Sequence, residues 1–119
     1  MRPGLRPPGA MAEPGPDAAA AASPAAFHYG PGHVIMHGNA AFLERYGRAA
    51  ISQPAREAML DLPATAFALL DRVLAEGRPL AIAVALVDGP RRLVVVPRRD
   101  PETGLVYGVT THLAPTRPA

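Results

Sequence analysis

Five short stretches of the chain are rich in β-branched, aromatic or alternating apolar residues, the pattern that predicts β-strands. They cover residues 27–29, 33–37, 80–87, 92–97 and 105–113. Turn-forming Gly30-Pro31-Gly32 separates the first two, and Asp88-Gly89-Pro90 separates the third from the fourth. Strands joined by short turns run antiparallel. The pattern therefore predicts a hairpin at the start of the fold and a three-stranded meander at its end.

Between these strands the apolar spacing changes to that of helices. Asn39 is a good N-cap because its side-chain oxygen can accept an unpaired backbone N–H, so a helix is predicted from Ala40 to the stop at Gly47. A short second helix is predicted over residues 55–60. The third and longest begins at Pro63, ends before Gly77, and carries one apolar face: Phe67, Leu70, Val73 and Leu74.

This element order predicts an α+β fold with a five-stranded antiparallel sheet and with short helices and one longer helix on one face. Residues 1–26 differ in composition, since 18 of them are Pro, Gly or Ala. Such a segment buries too little apolar surface to offset the entropy lost on ordering. We predict a disordered tail over residues 1–26, one domain over 27–115, and a disordered end over 116–119.

The composition of the chain excludes several kinds of functional site and partner. The chain has no cysteine, which excludes disulfides, thiolate metal sites and cysteine nucleophiles and is compatible with a cytoplasmic setting. The absence of lysine and the high content of alanine, proline and glycine indicate a GC-rich bacterial genome as the source. All basic side chains are arginine, and the net charge of +2 is too small to indicate nucleic acid as a partner. The apolar runs are shorter than a membrane span, so no membrane association is expected.

The candidate site residues favour a binding protein over an enzyme. His33 and His37 share a strand face but lie about 13 Å apart, and His28 with His33 supplies only two imidazoles, so no metal site is predicted. We interpret these histidines as ordinary surface or strand residues. The carboxylates fall in turns and on exposed helix faces, without a nucleophile–base motif or a paired-acid motif. Arginines at positions 91, 92, 98 and 99 flank the Val run. Their charges either prevent aggregation of this apolar strand or form a patch that binds an anionic partner.

Four stretches of the sequence together resemble the PAS domain family over residues 27–114. They are VIMHGNAAFLERYGR, in which Asn39, Phe42 and Gly47 match the start and end of the family's first helix, LLDRVLAEGRP, LVVVPRRDPETG and GLVYGVTTHL. Ala40 stands where the family usually has proline, and Leu113-Ala114-Pro115 replaces its closing Asp-Ile-Thr signature.

The resemblance implies a sensory or regulatory module of signal transduction or transcriptional regulation, which binds a small ligand or a protein partner and is not an enzyme. The cofactor stays unknown, because the haem-binding histidine and the flavin-linking cysteine of some members are missing here. Residues of the long helix and the facing sheet are the pocket candidates for a cofactor or ligand: Phe67, Leu70, Val94 and Val109.

Two alternatives remain open: a structural dimerisation or adaptor domain with a filled core and no ligand, and a small enzyme of a related α+β fold. The strand at residues 80–87 bears on partners, since large apolar residues alternate there with alanines and both faces are apolar. A sheet face exposed to water normally shows polar residues. We therefore predict a homodimer or a complex with an effector protein, formed through the open face of the sheet.

Overall fold

The computed structural model describes residues 23–116. In chain order its elements are β1 (Ala25–Tyr29), β2 (Val34–Gly38), α1 (Ala40–Tyr46), a 3₁₀ turn (Arg48–Ala50), α2 (Ala55–Ala58), α3 (Ala64–Glu76), β3 (Leu80–Leu86), β4 (Gly89–Arg99) and β5 (Val106–Pro115).

The five strands form one antiparallel sheet in the order β2-β1-β5-β4-β3. The hairpin β1–β2 and the meander β3–β4–β5 are therefore joined by the pairing of β1 with β5, which brings both ends of the domain to the middle of the sheet. Both the fold class and the predicted antiparallel sheet are confirmed.

The helices cover one face of the sheet and enclose the core. α3 begins after Pro63 and ends at Gly77, whose left-handed backbone (φ 72°) lets its N–H bond to the carbonyl of Val73. The long helix is therefore found where its pattern predicts it. Its buried side chains pack with α1 and the inner side chains of the sheet, and the largest fully buried residues are Phe42, Ile35, Met59, Leu70, Leu93, Leu113, His28, Val73, Val95 and Val109.

Several boundaries differ from their predictions. β1 begins at Ala25, two residues early, because Asn39 binds this end of the strand: Ala25 N–H donates to Asn39 Oδ1 at 3.0 Å. β4 begins at Gly89, since the hairpin closes directly at the turn, and α2 ends at Ala58. The rest of the predicted tail, residues 1–22, and the end, residues 117–119, lie outside the described residues.

The two outermost strands have different neighbours. The segment after the 3₁₀ turn lies along the free side of β2. There Ser52 N–H donates to the Ile35 carbonyl at 2.7 Å, and Ile35 N–H donates to the Gln53 carbonyl at 2.8 Å. Ala55 N–H also donates to the His33 carbonyl. Within residues 23–116, β4 is the only strand that pairs with β3.

Candidate functional site

Three of the four predicted pocket residues meet between α3 and the sheet. Phe67, Leu70 and Val109 all belong to the buried core. Val94 lies on the opposite face, because its neighbours Leu93 and Val95 both point into the core and side chains alternate along a strand. The sequence could not decide this, since all three consecutive valines of β4 fit either face.

The same interior contains a buried polar pair. His28 of β1 is fully buried, and its Nε2 lies 2.8 Å from Thr111 Oγ1 of β5. Its Nδ1 is also buried and has no hydrogen-bond partner among the described residues. Burial lowers the pKa of His28 to about 4; the His33 backbone opposes this shift and the His33 ring adds to it. His28 is therefore a strand residue, one of the two predicted alternatives, and its neutral imidazole lies inside the core and not on the surface.

His33 forms a second polar cluster beside it. The ring is 97% buried, and Nε2 lies 2.7 Å from Asp71 Oδ1 of α3, whose other oxygen binds Arg56 at 3.2 Å. His33 adopts a left-handed backbone (φ 52°), which is uncommon for a residue other than glycine. Its Nδ1 is buried without a described partner, like that of His28. The β1–β2 turn is thus attached to α3 through one side chain.

Metal ligation is not supported in this region. In the described part of the chain, no three His, Asp or Glu side chains converge on one point. Aspartate and threonine already bind one nitrogen of each buried histidine, and His37 is exposed on β2.

A surface cavity of about 390 Å³ lies outside this interior, between α1, the α2–α3 loop and the β3–β4 turn. Arg45 crosses it and binds Asp61 and Asp88, each at 2.8 Å. The hydrogen bond from Arg45 lowers the pKa of Asp88 to about 2. Tyr46 donates to Asp61, and burial raises the pKa of that phenol. Because these groups satisfy one another, the cluster fastens the turn to α1.

The open face of the sheet carries an aromatic group. Ala26 and His28 of β1 are buried in the core. Because side chains alternate along a strand, Phe27 and Tyr29 point to the opposite, open face. Tyr107 packs edge-on against Phe27 with ring centroids 5.9 Å apart, and lies 6.5 Å from Tyr29. The Arg98 guanidinium lies over the Phe27 ring at 5.8 Å. We call Phe27, Tyr29, Tyr107, Met36 and Val96 the open-face patch.

Two local features place these rings together. The Phe27 ring lies over Gly108, where any side chain would collide with that ring and with the His28 carbonyl. The β4–β5 register shifts between Arg98 and Arg99, so that Tyr107 shares a side with Phe27. The sequence predicted an apolar open face from β3 and β4 alone. The alternation of Phe27 and Tyr29 signalled the aromatic part, but the register shift leaves no signal in one sequence.

The four arginines around the Val run separate into two kinds. Arg92 and Arg98 are exposed on the open face. Arg99 instead donates to the carbonyls of Gly77 at 2.6 Å and Gly104 at 2.9 Å, which attaches the end of α3 to the β4–β5 turn. Arg91 contacts Asp88 and the Leu113 carbonyl. Two of the four are therefore structural, and two remain available to a partner.

No family model matches the sequence, and no curated protein matches it significantly. Known structures are similar. The PAS domain of the histidine kinase ThkA aligns with a TM-score of 0.64 at 14% identity, over 77% of this chain and 97% of that domain. VqmA bound to DPO aligns with a TM-score of 0.62 at 16% identity, over 80% of this chain and 52% of VqmA.

A second VqmA structure, the dimer from Vibrio cholerae without target DNA, gives a TM-score of 0.62 at 16% identity, over 80% of this chain and 48% of that one. This chain thus spans about half the length of VqmA. At these identities the likeness concerns the fold, and it agrees with the strand order and helix placement found above. The chain has a PAS-like fold.

Proposed function

We propose that this chain is a regulatory PAS-like module that acts in the cytoplasm by binding an effector protein on the open face of its sheet. The open-face patch is the observation that carries the proposal. Tyr29 is 54% exposed, Met36 51% and Val96 39%, and the rings of Phe27, Tyr107 and Tyr29 form a continuous aromatic group on the same face. Contiguous exposed apolar and aromatic side chains on a small domain are typical of an interaction surface.

The charge of this face favours one class of occupant. No strand of the sheet contains Asp or Glu, whereas Arg92 and Arg98 are exposed on the open face. Two such faces packed against each other would oppose arginines without a carboxylate to compensate them. Of the two predicted occupants, the geometry therefore favours an effector with an apolar, acidic surface over a second copy on this face. Binding of this kind involves no catalytic step.

The similar structures support a regulatory role. ThkA is a histidine kinase, and VqmA is described with target DNA and among LuxR-type receptors. In each of them the part similar to this chain is one portion of a larger protein: in ThkA it is the PAS domain of the kinase, and in Vibrio cholerae VqmA it is 48% of the chain. The proposal assigns the present chain the same type of task, with the effector bound on the sheet.

A peptide of alternating Glu and Leu with one central Phe, followed by amide NMR, tests the proposal. The peptide should shift the resonances of Tyr29, Tyr107 and Val96, and its Lys counterpart should not. Arg98→Glu and Tyr29→Ala should each weaken binding at least tenfold, since charged and aromatic residues dominate such interfaces. Leu60→Ala is the matched control, because Leu60 is 78% exposed but lies on the helix side. Shifts confined to the helix side, or equal binding of the Lys peptide, would contradict the proposal.

A small ligand in the interior is the second candidate, and the unpartnered Nδ1 atoms of His28 and His33 favour it. Buried imidazole nitrogens normally have a partner. Such a ligand would be small and polar and would lie beside Phe67, Leu70 and Val109. VqmA is described bound to DPO, which agrees with this class of function for a PAS-like fold. Native mass spectrometry of the purified chain tests it: a bound mass that His28→Leu removes is expected, and an unliganded chain that stays unliganded with added metabolite extract would contradict it.

A further inference from the structure

Within residues 23–116, the outer edge of β3 lacks the features that normally protect an edge strand. Its seven residues, LAIAVAL, contain no charge, no proline and no glycine, and they pair with β4 on one side. Edge strands in natural proteins usually carry charges, prolines or bulges, or are covered by another segment. In this molecule the other edge strand, β2, is covered by residues 52–55. An open cavity of about 370 Å³ lies beside β3 and is lined by Ala81, Ile82, Ala83, Arg92 and Thr116.

The sequence of β3 is self-complementary about its centre. Read backwards from Leu86 it is LAVAIAL, which differs from the forward sequence only by the exchange of Ile82 and Val84. Two copies related by a two-fold axis at Ala83 therefore place small residues against small ones and large residues against large ones. A closed homodimer interface requires this reciprocity, in which one residue contacts a second and the second contacts the first.

The faces of the strand agree with this register. Val84 and Leu86 are buried on the core side, whereas Ala83 and Ala85 are exposed on the open side. Leu80 and Ile82 are only half-buried at the edge. In the two-fold arrangement Ile82 meets the partner's Val84 and Leu80 meets the partner's Leu86, so apolar surface now in contact with water would be covered.

Charges just outside the strand also complement each other. Arg78 lies five residues before Ala83 and Asp88 five residues after it, so the axis places Arg78 near the partner's Asp88 at both ends of the pair. The Arg78 side chain is 60% exposed and binds Glu76, and the Asp88 side chain is 48% exposed and binds Arg45, so a pairing between copies would add to these ion pairs. The strand itself has no charge to oppose its copy. Complementary charges at the ends set the register of such a pairing.

We propose that β3 pairs antiparallel with β3 of a second copy about an axis at Ala83, joining two five-stranded sheets edge to edge. Alternate residues of β3 direct their N–H and C=O groups to its outer side. Because the axis passes through a residue, each of these residues lies opposite a residue of the partner that also has outward-directed groups, so the hydrogen bonds can form. The open-face patch lies on β1, β2, β4 and β5, so pairing at the outer edge of β3 leaves it available, and this self-association is separate from effector binding.

Cysteine crosslinking tests the register directly, because the chain has no cysteine of its own. Directly opposed residues of an antiparallel pair have Cα atoms about 4.5–5.5 Å apart, within the range that a disulfide bridges. Ala83→Cys should form a covalent dimer under mild oxidation. Ala85→Cys, equally exposed on the same face, should stay monomeric alone and crosslink with Ala81→Cys. Absence of crosslinking at position 83, or equal crosslinking of positions 83 and 85 alone, would overturn the proposal.

A charge pair at the same position gives a second, independent readout. Ala83→Lys and Ala83→Asp should each reduce dimerisation at least tenfold in sedimentation, because they oppose like charges on the axis. Their mixture should restore a heterodimer. Folding of each variant is checked by circular dichroism. If both variants stay dimeric, or if the mixture stays monomeric, the axis is not at Ala83. Neither experiment involves the effector, so failure here leaves the proposed function standing, and the converse also holds.

Discussion

β2 and β3 both lie at an edge of the sheet, yet they reach their stability by different means. On the β2 side the chain folds back, so that backbone groups of Ile35 and His33 are bonded by residues 52–55. Buried polar side chains fasten the same side to α3 and β5 through His33 and His28. The β3 side is aliphatic, and its outer backbone groups pair with no other strand of the described chain.

The comparison indicates that the buried polar side chains on the β2 side stabilise the fold, whereas the aliphatic β3 edge is suited to binding. A buried polar group must be satisfied within the fold and then specifies one arrangement, because leaving it unpaired is costly. Aliphatic side chains at a sheet edge need no hydrogen-bond partner within the fold, so they can pack against a matching surface of another molecule. We therefore expect substitutions on the β2 side to change the free energy of unfolding, and substitutions at the β3 edge to change association.

Acid should produce the largest effect, and on the β1–β2 side. The pKa of His28 is lowered from 6.5 to about 4 in the folded chain, so between these pH values the unfolded chain binds a proton that the folded chain does not. The contribution of His28 to the free energy of unfolding is therefore fully present above pH 6.5. It falls by about 3 kcal/mol as the pH is lowered to 4, and it does not change further below pH 4. Urea unfolding across this range measures the slope.

His28→Gln is the matched control for the acid experiment. Its amide can still bond to Thr111 but does not titrate, so the slope between pH 6.5 and 4 should largely disappear. Asp88, with its pKa lowered to about 2, loses its favourable ionised state at lower pH and does not interfere. An unchanged slope in the variant would show that another group causes the acid sensitivity.

Replacing Asn39 by alanine should have the second largest effect, about 2 kcal/mol. Asn39 Oδ1 accepts from Phe42 N–H at 2.9 Å and from Ala25 N–H, while its Nδ2 donates to the Ser23 carbonyl at 2.9 Å. Loss of a helix cap alone costs about 1 kcal/mol, and the bonds to β1 add to it. Chemical denaturation measures the loss.

Asn39→Ser separates the two roles of this side chain. Serine keeps the helix cap but is too short to hold the start of β1, so about half of the loss should remain. If Asn39→Ser is as damaging as Asn39→Ala, the cap contributes little and the link to β1 contributes most.

The smallest expected effect is a gain in stability from Ser52→Gly. Ser52 has a left-handed backbone (φ 78°) while its N–H bonds to Ile35 on the covered edge. Glycine adopts this conformation without strain, and relief of that strain exceeds the entropy that glycine loses on folding by about 0.5 kcal/mol. Ser52→Ala keeps a β-carbon and should show no gain in the melting temperature. A loss in both variants would mean that the serine hydroxyl has a role.

Local signals in the sequence predicted the helices and strands well. Proline at the start of α3 and glycine at its end are both found where expected, and Asn39 caps α1. In β3 the predicted alternation of large residues and alanine is found, with Val84 and Leu86 buried and Ala83 and Ala85 exposed. These features depend on neighbours in the chain, so one sequence contains them.

The site depends on contacts between distant residues, and there the sequence was less informative. His28 is buried because β1 lies in the middle of the sheet beside β5, a pairing of residues more than 80 positions apart. Tyr107 shares a face with Phe27 only because of a register shift. The face of Val94 follows from the burial of Leu93 and Val95, which the run of three valines does not reveal. Periodicity gives alternation along a strand, but it does not give the strand's neighbours.

The covered edge of β2 also bears on how far assembly can proceed. A chain with two bare edges could add copies at both and grow without limit into a fibre. Here residues 52–55 occupy one edge, so pairing at β3 uses the one remaining sheet edge within residues 23–116 and stops at two. Detachment of that short segment would give each dimer new ends, and the same strand chemistry that closes a pair would then propagate a filament.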